Sequence, residues 1–415
     1  MTVALNLHEP DLSDGAKIVG SIYPSAGGRA AHRNVLFPCG TSAPPARYEV
    51  DAGHYVVSAT LPSGIVLSKD VEAPEGAETS VTLRSGRSPY ESHSWQYLMG
   101  NIEPYEAYHD DKSVPVPRSR GSRSVSSGIE QAAWVGDPTA AGWHFPHTLA
   151  LSDRRVREPA ALDIARSVPH SVPSLDLGDP ASRLYRFGPH GPVDERGEPT
   201  FREPTGRRQF LVVSLDDVEY LVTLPVPWGS AQVEVLVNER QSPTGSAVSV
   251  TVRDRRVGPA LGYMARGAFD AAATLVRDAE SMLYGEMGNP LAAVAGAYVL
   301  VGSELTEEPQ RWDPWLDRLR SGFDWFSDGS VLWAMRHLRR AHTERERWEA
   351  RDALVEAFDR GVPLFTLGLS RLIHGLAEFP YDLECAHRFN DARRLSYHVD
   401  TREPFVIVAL RGRQQ

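Results

Sequence analysis

The chain has 415 residues, 41% of them hydrophobic and 24% charged, which is ordinary for a soluble globular protein and long enough for several domains. A formal net charge of −10 and a pI near 5.8 exclude a general nucleic-acid binder, because neutralising phosphates needs a basic face. Cys39 and Cys385 are too far apart in sequence to form a disulfide framework or a zinc knuckle alone, and suit a reducing cytoplasm.

The start, Met1 to Asp14, carries Glu9, Asp11 and Asp14 and has neither a basic nor an apolar leader region, so it does not read as a signal peptide. The longest apolar run, Leu291 to Val301, is too short to span a bilayer. Lys17, Lys69 and Lys112 are the only lysines among 44 basic residues. Such a bias fits a GC-rich bacterial genome or arginine-led recognition of acidic partners.

From Ala16 to Leu83 the pattern alternates. Lys17–Tyr23, Arg47–Val50, His54–Leu61, Ile65–Val71 and Thr79–Leu83 read as strands, with turns at Gly53, Pro62-Ser63-Gly64 and Pro74-Glu75-Gly76. Five strands at this spacing predict a sandwich. The run Tyr48-Glu49-Val50-Asp51-Ala52-Gly53-His54-Tyr55-Val56-Val57, followed by Leu61-Pro62-Ser63-Gly64, resembles the transthyretin-like, carboxypeptidase-regulatory-like β-sandwich. That resemblance implies a non-catalytic spacer or binding platform.

An aromatic and acidic segment with Tyr97, Tyr105, Tyr108, Asp110 and Asp111 then gives way to Val114-Pro115-Val116-Pro117-Arg118-Ser119-Arg120-Gly121-Ser122-Arg123. A stretch with so little to bury is expected to be a mobile linker. Arg118, Arg120 and Arg123 make it a candidate protease-sensitive site, since a protease needs a strand it can lift out.

Trp134–Leu151 reads as an aromatic segment packed under the next domain, and Glu158–Gly206, dense in Pro, Gly, Asp and Arg, as long loops. Gln209–Leu215, Val218–Pro225, Gln232–Asn238 and Ala247–Arg253 follow as four strands with hairpin-length connections, which predicts one antiparallel meander. Val233, Val235 and Val237 alternate with polar residues, as do Val248, Val250 and Val252, so each strand has a buried face.

At Gly258-Pro259 the period becomes helical. Six helices are expected: one from Leu261 to Leu283, then Pro290–Val301, Trp312–Phe323, Asp328–Ala341, Glu344–Arg360 and Pro363–Glu378. Gly262-Tyr263-Met264-Ala265-Arg266-Gly267-Ala268-Phe269-Asp270-Ala271-Ala272 looks like a tetratricopeptide helix pair at its turn. Glu349-Ala350-Arg351-Asp352-Ala353-Leu354-Val355-Glu356-Ala357, then Gly361-Val362-Pro363, looks like the second helix of such a repeat. The spacing departs from a strict period, and a closed bundle is the other reading. The meander, the Gly258-Pro259 junction and the Trp312–Trp333 stretch together look similar to C-terminal regions of bacterial proteins associated with caspase-like peptidases. That similarity implies a partner or substrate of such a protease.

No phosphate-binding loop G-x-x-x-x-G-K-[ST] occurs. Gly368-Leu369-Ser370-Arg371-Leu372 lacks the second glycine of a nucleophile elbow and falls in a predicted helix. Pro146 between His144 and His147 opposes a helical ligand pair, and His109-Asp110-Asp111 reads as a solvated turn. Cys385, His387, Asp391 and His398 are the densest donor set. Trp312, Trp315 and Trp325 are either core or a protein-binding hot spot, and Arg336, Arg339 and Arg340 a basic edge beside them.

The sequence therefore predicts an α+β protein. Its parts are a β-sandwich (1–90), a linker (91–130), an antiparallel β-domain with long loops (131–257), a helical bundle with tetratricopeptide-like features (258–380) and an extension ending in a strand (381–415). Phe405-Val406-Ile407-Val408 is placed to return to the central sheet. The functional expectation is a non-enzymatic cytoplasmic adaptor or regulatory protein that binds another protein, with no cofactor, metal, nucleic acid or membrane. The alternatives are a structural component of a larger bacterial assembly and a hydrolase whose site converges from Cys385, His387 and His398.

Overall fold

The structure is a computed structural model. It describes residues 2–8, 17–26, 30–39, 44–60, 66–84, 129–135, 170–172, 174–176, 182–194, 196–200, 208–215, 218–226, 228–229, 231–238, 246–252, 257–265, 267, 269, 272–273, 276, 279–303 and 310–411. The fold is α+β, with strands in the N-terminal and central parts and helices towards the C-terminus.

Seven N-terminal strands form two sheets. Thr2–His8 (β1) lies between Ala46–Glu49 (β4) and Glu78–Arg84 (β7), antiparallel to the first and parallel to the second. Lys17–Pro24 (β2), His32–Pro38 (β3), Gly53–Thr60 (β5) and Val66–Ala73 (β6) form an antiparallel sheet in the order β3-β2-β5-β6. Val3, Leu5 and Leu7 from one sheet, and Ile18, Ile22, Phe37 and Val57 from the other, belong to the buried core. Two strands, β1 and β3, were not among the five that alternation picked out. One partner of β1 is β7, about as far away in sequence as this unit allows, and Val3, Leu5 and Leu7 are buried against the core side chains of the other sheet.

The central strands correct the expected meander. Ile129–Val135 (β8), His170–Ser171 (β9), Gln209–Leu215 (β13), Val218–Leu224 (β14) and Ile407–Arg411 (β17) form one sheet in the order β17-β14-β13-β8-β9. Leu175–Asp176 (β10), Ser182–Gly188 (β11), Gly191–Pro192 (β12), Val233–Asn238 (β15) and Val248–Val252 (β16) form a second, ordered β10-β11-β15-β16 with β12 on β11. The hairpin β13–β14 and the hairpin β15–β16 thus lie in different sheets. The segment between them is no surface turn: Val226 and Trp228 are buried, and Trp228 meets Phe405 edge-on at 6.4 Å. Burying that indole carries the chain out of one sheet and into the other. The stretch read as long loops contains β11, whose Leu184, Tyr185 and Phe187 are buried. The C-terminal strand does return to the centre, pairing Ile407 with Val222 and Arg411 with Val218.

Eight helices occur among the described residues: Gly258–Ala265 (α1), Ala279–Tyr284 (α2), Pro290–Ser303 (α3), Asp313–Gly322 (α4), Asp328–Arg340 (α5), Glu344–Asp359 (α6), Thr366–Ala377 (α7) and Leu383–Ser396 (α8). The expected single helix from Leu261 to Leu283 is interrupted: Gly267 takes a left-handed φ of 72° that ends α1, residues 269 and 272–273 are helical again, and α2 starts at Ala279. α6 starts at a capping box, with Thr343 accepting from the Glu346 amide and Glu346 reaching back. α8, where only donor residues had drawn notice, is started by Asp382, whose carboxylate accepts from the Cys385 amide at 2.9 Å. α5 touches α3, α4, α6 and α7. A helix enclosed on that many sides is the centre of a closed bundle, whereas a solenoid helix would meet only its neighbours in the chain.

One junction joins bundle to sheet. Asp328, buried at the start of α5, accepts from the Tyr298 hydroxyl at 2.8 Å and from the amides of Leu364 and Phe365 at 2.8 and 3.3 Å. The same α6–α7 connection meets the chain before β17: Val406 donates to the Leu364 carbonyl, and Thr366 to that of Pro404. Tyr298, Phe365, Phe405 and Trp228 form a continuous aromatic chain across it. Among the described residues, no helix is long and apolar enough to cross a membrane.

Candidate protein-docking face

The expected tryptophan and arginine residues are split: Trp312 and Arg336 face inward, and Trp315, Trp325, Arg339 and Arg340 are half-buried. Trp312 is buried with the Arg336 guanidinium 5.1 Å from its ring centroid. Arg336 itself is 0% exposed and donates from Nε to Asp313 Oδ1 at 3.0 Å. Arg340 donates to Asp313 Oδ2 at 2.7 Å, and Arg339 to the Val301 carbonyl at 2.9 Å. Trp315 is half-buried against Tyr284, and Trp325 against Phe326. The basic edge is therefore a set of ties: Asp313, at the first turn of α4, neutralises two arginines from the last turns of α5. Sequence spacing within α5 could not show that a carboxylate from another helix lies beneath it. Arg118, Arg120 and Arg123 lie outside the described residues, as do His109, His144 and His147.

The Cys385 cluster does not converge. Cys385 is buried, and burial together with nearby Asp382 pushes its thiol up to about 11, which disfavours the reactive thiolate. His387 projects into solvent from the same helix, 3.8 Å from Asp391. No group of three or more metal-ligating side chains occurs among the described residues.

Exposed aromatic surface lies elsewhere, on the first half of α6 and the α7–α8 turn. Trp348 is 52% exposed, Tyr381 98% and Leu383 89%, values that a core-forming segment would not show. The Trp348 and Phe379 rings are 6.4 Å apart, and Arg347 extends over Phe379 at 5.7 Å. Two arginine straps hold this surface in place. Arg351 of α6 donates from Nε and Nη2 to the two Asp382 oxygens, each at 3.1 Å, and also pairs with Glu384 and Asp352. Arg388 of α8 reaches back to Asp359 at 2.9 Å and to Glu384 at 3.1 Å. The guanidinium of Arg351 holds the Asp382 and Glu384 carboxyls below their ordinary range, so they stay charged and keep the strap closed at neutral pH.

The turn that carries Tyr381 and Leu383 is thus fixed relative to Trp348, because Asp382 between them is a strap residue. Large aromatic side chains on a rigid frame with an arginine rim have the composition of interface hot spots. The sequence signal was available: Phe379-Pro380-Tyr381-Asp382-Leu383 sets two aromatics and a leucine on a turn next to a proline, where burial is hard to arrange.

No curated protein and no solved structure matches the chain. Residues 259–406, less than half of the chain but including all of this face, match the family model of the Y4kD C-terminal domain, and it is to that domain that the helical region is similar.

Proposed function

We propose that this chain is a non-enzymatic protein-interaction protein, an adaptor or regulator, and that it docks its partner on the face formed by Trp348, Phe379, Tyr381 and Leu383. The observation that carries the reading is the exposure of Trp348, Tyr381 and Leu383 on helices strapped by Arg351 and Arg388. A soluble chain rarely leaves such side chains grouped in water without a use for them. The partner that fits has an apolar anchor for the aromatic island and acidic groups for Arg347 at its edge. The more specific version, control by a caspase-like protease cutting at Arg118, Arg120 or Arg123, rests on the sequence of that segment and on the resemblance that suggested it.

A photo-crosslinker placed at Tyr381 of the full chain, in cells that naturally make it, tests the reading. The expected product is one discrete adduct with a different protein, lost when Trp348→Ala and Leu383→Ser are added. Adducts only between copies of this chain would instead favour a structural component of an assembly, and no adduct above that of an exposed control position on α8 would refute the docking face.

A further inference from the structure

The straps under the docking face are unequal in charge. Arg351 pairs with Asp352 at 3.0 Å, with Asp382 at 3.1 Å and, through the same guanidinium, with Glu384. Arg388 pairs with Glu384 at 3.1 Å and with Asp359 at 2.9 Å. Four carboxylates therefore share two guanidiniums, which leaves the cluster a net charge of −2. The two signs also differ in exposure. The side chains of Arg351 and Arg388 are 13% and 17% exposed, whereas those of Asp352, Asp359 and Glu384 are 66%, 55% and 46% exposed. The cations lie beneath, and the surplus negative charge faces water.

This row of carboxylates is continuous with the apolar anchors. Leu383 stands between Asp382 and Glu384 in the chain, and the Arg351 guanidinium is 5.9 Å from the Trp348 ring centroid. Trp348 and Asp359 both belong to α6, so at about 1.5 Å per residue the row extends about 16 Å along the helix from the indole. Of the nearby cations on α6, Arg345 is matched by Glu349, and Arg347 over Phe379 marks the place for an acidic group of the partner. Covering ionised carboxylates with an apolar or acidic surface is unfavourable. Their free lone pairs can instead accept from further guanidinium or ammonium donors, and opposite charge speeds encounter.

We propose that the partner segment seated on Trp348, Tyr381 and Leu383 is cationic, with an apolar residue on this island and two or more arginines or lysines over Asp352, Glu384 and Asp359. The inference rests on the docking face proposed above and gives its partner a chemistry.

The full chain with the photo-crosslinker at Tyr381 supplies the partner, and mass spectrometry locates the cross-linked residue. The partner's sequence around that residue is expected to carry a net positive charge and at least two arginines or lysines. A synthetic peptide of that stretch is then titrated into the wild type and into an Asp352→Asn, Asp359→Asn double variant, alongside the same peptide with its arginines and lysines replaced by glutamine. Neutralising either side is expected to weaken binding about tenfold, and the two losses overlap when combined, as they do for groups in contact. A frame merely loosened by the substitutions would make the losses multiply, which overturns the proposal. A neutral or acidic stretch at the crosslink overturns it too, as does full affinity in the double variant, and both leave the docking face standing. No adduct, or adducts only between copies of this chain, removes the docking reading and this one with it. The charge of the cross-linked stretch decides the question without the variants should they fail to fold.

Discussion

Replacing Glu403 by Gln isolates a pH-dependent term in the stability of this fold. Glu403 is fully buried in the turn before β17, where it accepts from the Ser249 hydroxyl at 2.9 Å and from the Val250 amide at 3.1 Å. β16 is the edge of its sheet, so the carboxylate satisfies an edge N–H that has no neighbouring strand. Burial, which outweighs the hydrogen bonds from Ser249 and Val250, raises its pKa from the usual 4.5 to about 7, and Asp400 in the same turn adds to the rise. Arg402, which also faces it, is occupied by Asp400. A carboxyl whose folded pKa is raised binds its proton more tightly in the native state. Stability from this group is therefore highest below the unfolded value near 4.5 and falls as pH rises to about 7, by about 3 kcal/mol in total. Gln has no such titration, and it fits: its carbonyl can face the Val250 amide while its NH2 donates to the Ser249 hydroxyl, which can accept as well as donate.

Urea unfolding of both proteins from about pH 5 to about pH 8 supplies the comparison. Glu403→Gln is expected to gain on the wild type up to about pH 7 and to hold that advantage above it. The difference between the two curves is the quantity to use, because His337, held below its usual 6.5 by burial, acts in the opposite sense and loses stability as pH falls. That contribution is common to both proteins and cancels. Parallel curves would show that Glu403 is ionised in the fold at no cost, and the argument from burial would be wrong.

Asp328→Ala leaves the Tyr298 hydroxyl and two backbone amides without an acceptor inside the protein, and is expected to cost about 3–5 kcal/mol in the same assay; a loss below about 1 kcal/mol would mean that water reaches the junction. Gly329→Ala sets a Cβ 2.5 Å from the Leu319 carbonyl oxygen where α4 and α5 cross, with an expected cost of about 2 kcal/mol, and a neutral result would show that the crossing can open. Trp348→Ala combined with Tyr381→Ser and Leu383→Ser is expected to change stability by less than about 1 kcal/mol, because exposed side chains stabilise little. A large loss on thermal unfolding would make these residues part of the fold and no longer a docking face.

What sequence pattern reveals here is local. The β13–β14 and β15–β16 hairpins and the helices from α3 to α7 follow from alternation, helical spacing and caps such as Thr343 with Glu346. The parts not legible depend on distant partners. β1 is recognisable as a core strand only between β4 and β7, and the split of the four valine-rich strands between two sheets depends on where Trp228 finds Phe405. The site divides along the same line. An arginine reads as a surface residue until its carboxylate is located, and Arg336 and Arg340 share one on another helix, Asp313. Trp348 and Tyr381, by contrast, are exposed for a reason written in the chain: one follows a run of charged residues at the start of α6, and the other sits on a proline turn.

The placement of that exposed surface bears on what it can do. A loop that carries aromatic anchors loses conformational entropy when it binds, about 0.5–1.5 kcal/mol for each side chain immobilised. Here the cost to the backbone is met during folding. Arg351 and Arg388 already fix the α7–α8 turn to α6 through Asp382, Glu384 and Asp359, and Phe379 is packed beneath Trp348. The straps are ionic and partly exposed, so they weaken with salt, whereas the apolar anchors do not. Affinity that falls with ionic strength beyond the screening of the partner's own charges would therefore report loosening of the frame. An Arg351→Ala variant should reproduce that loss at low salt with Trp348, Tyr381 and Leu383 themselves unsubstituted, which separates the role of the frame from that of the residues it presents.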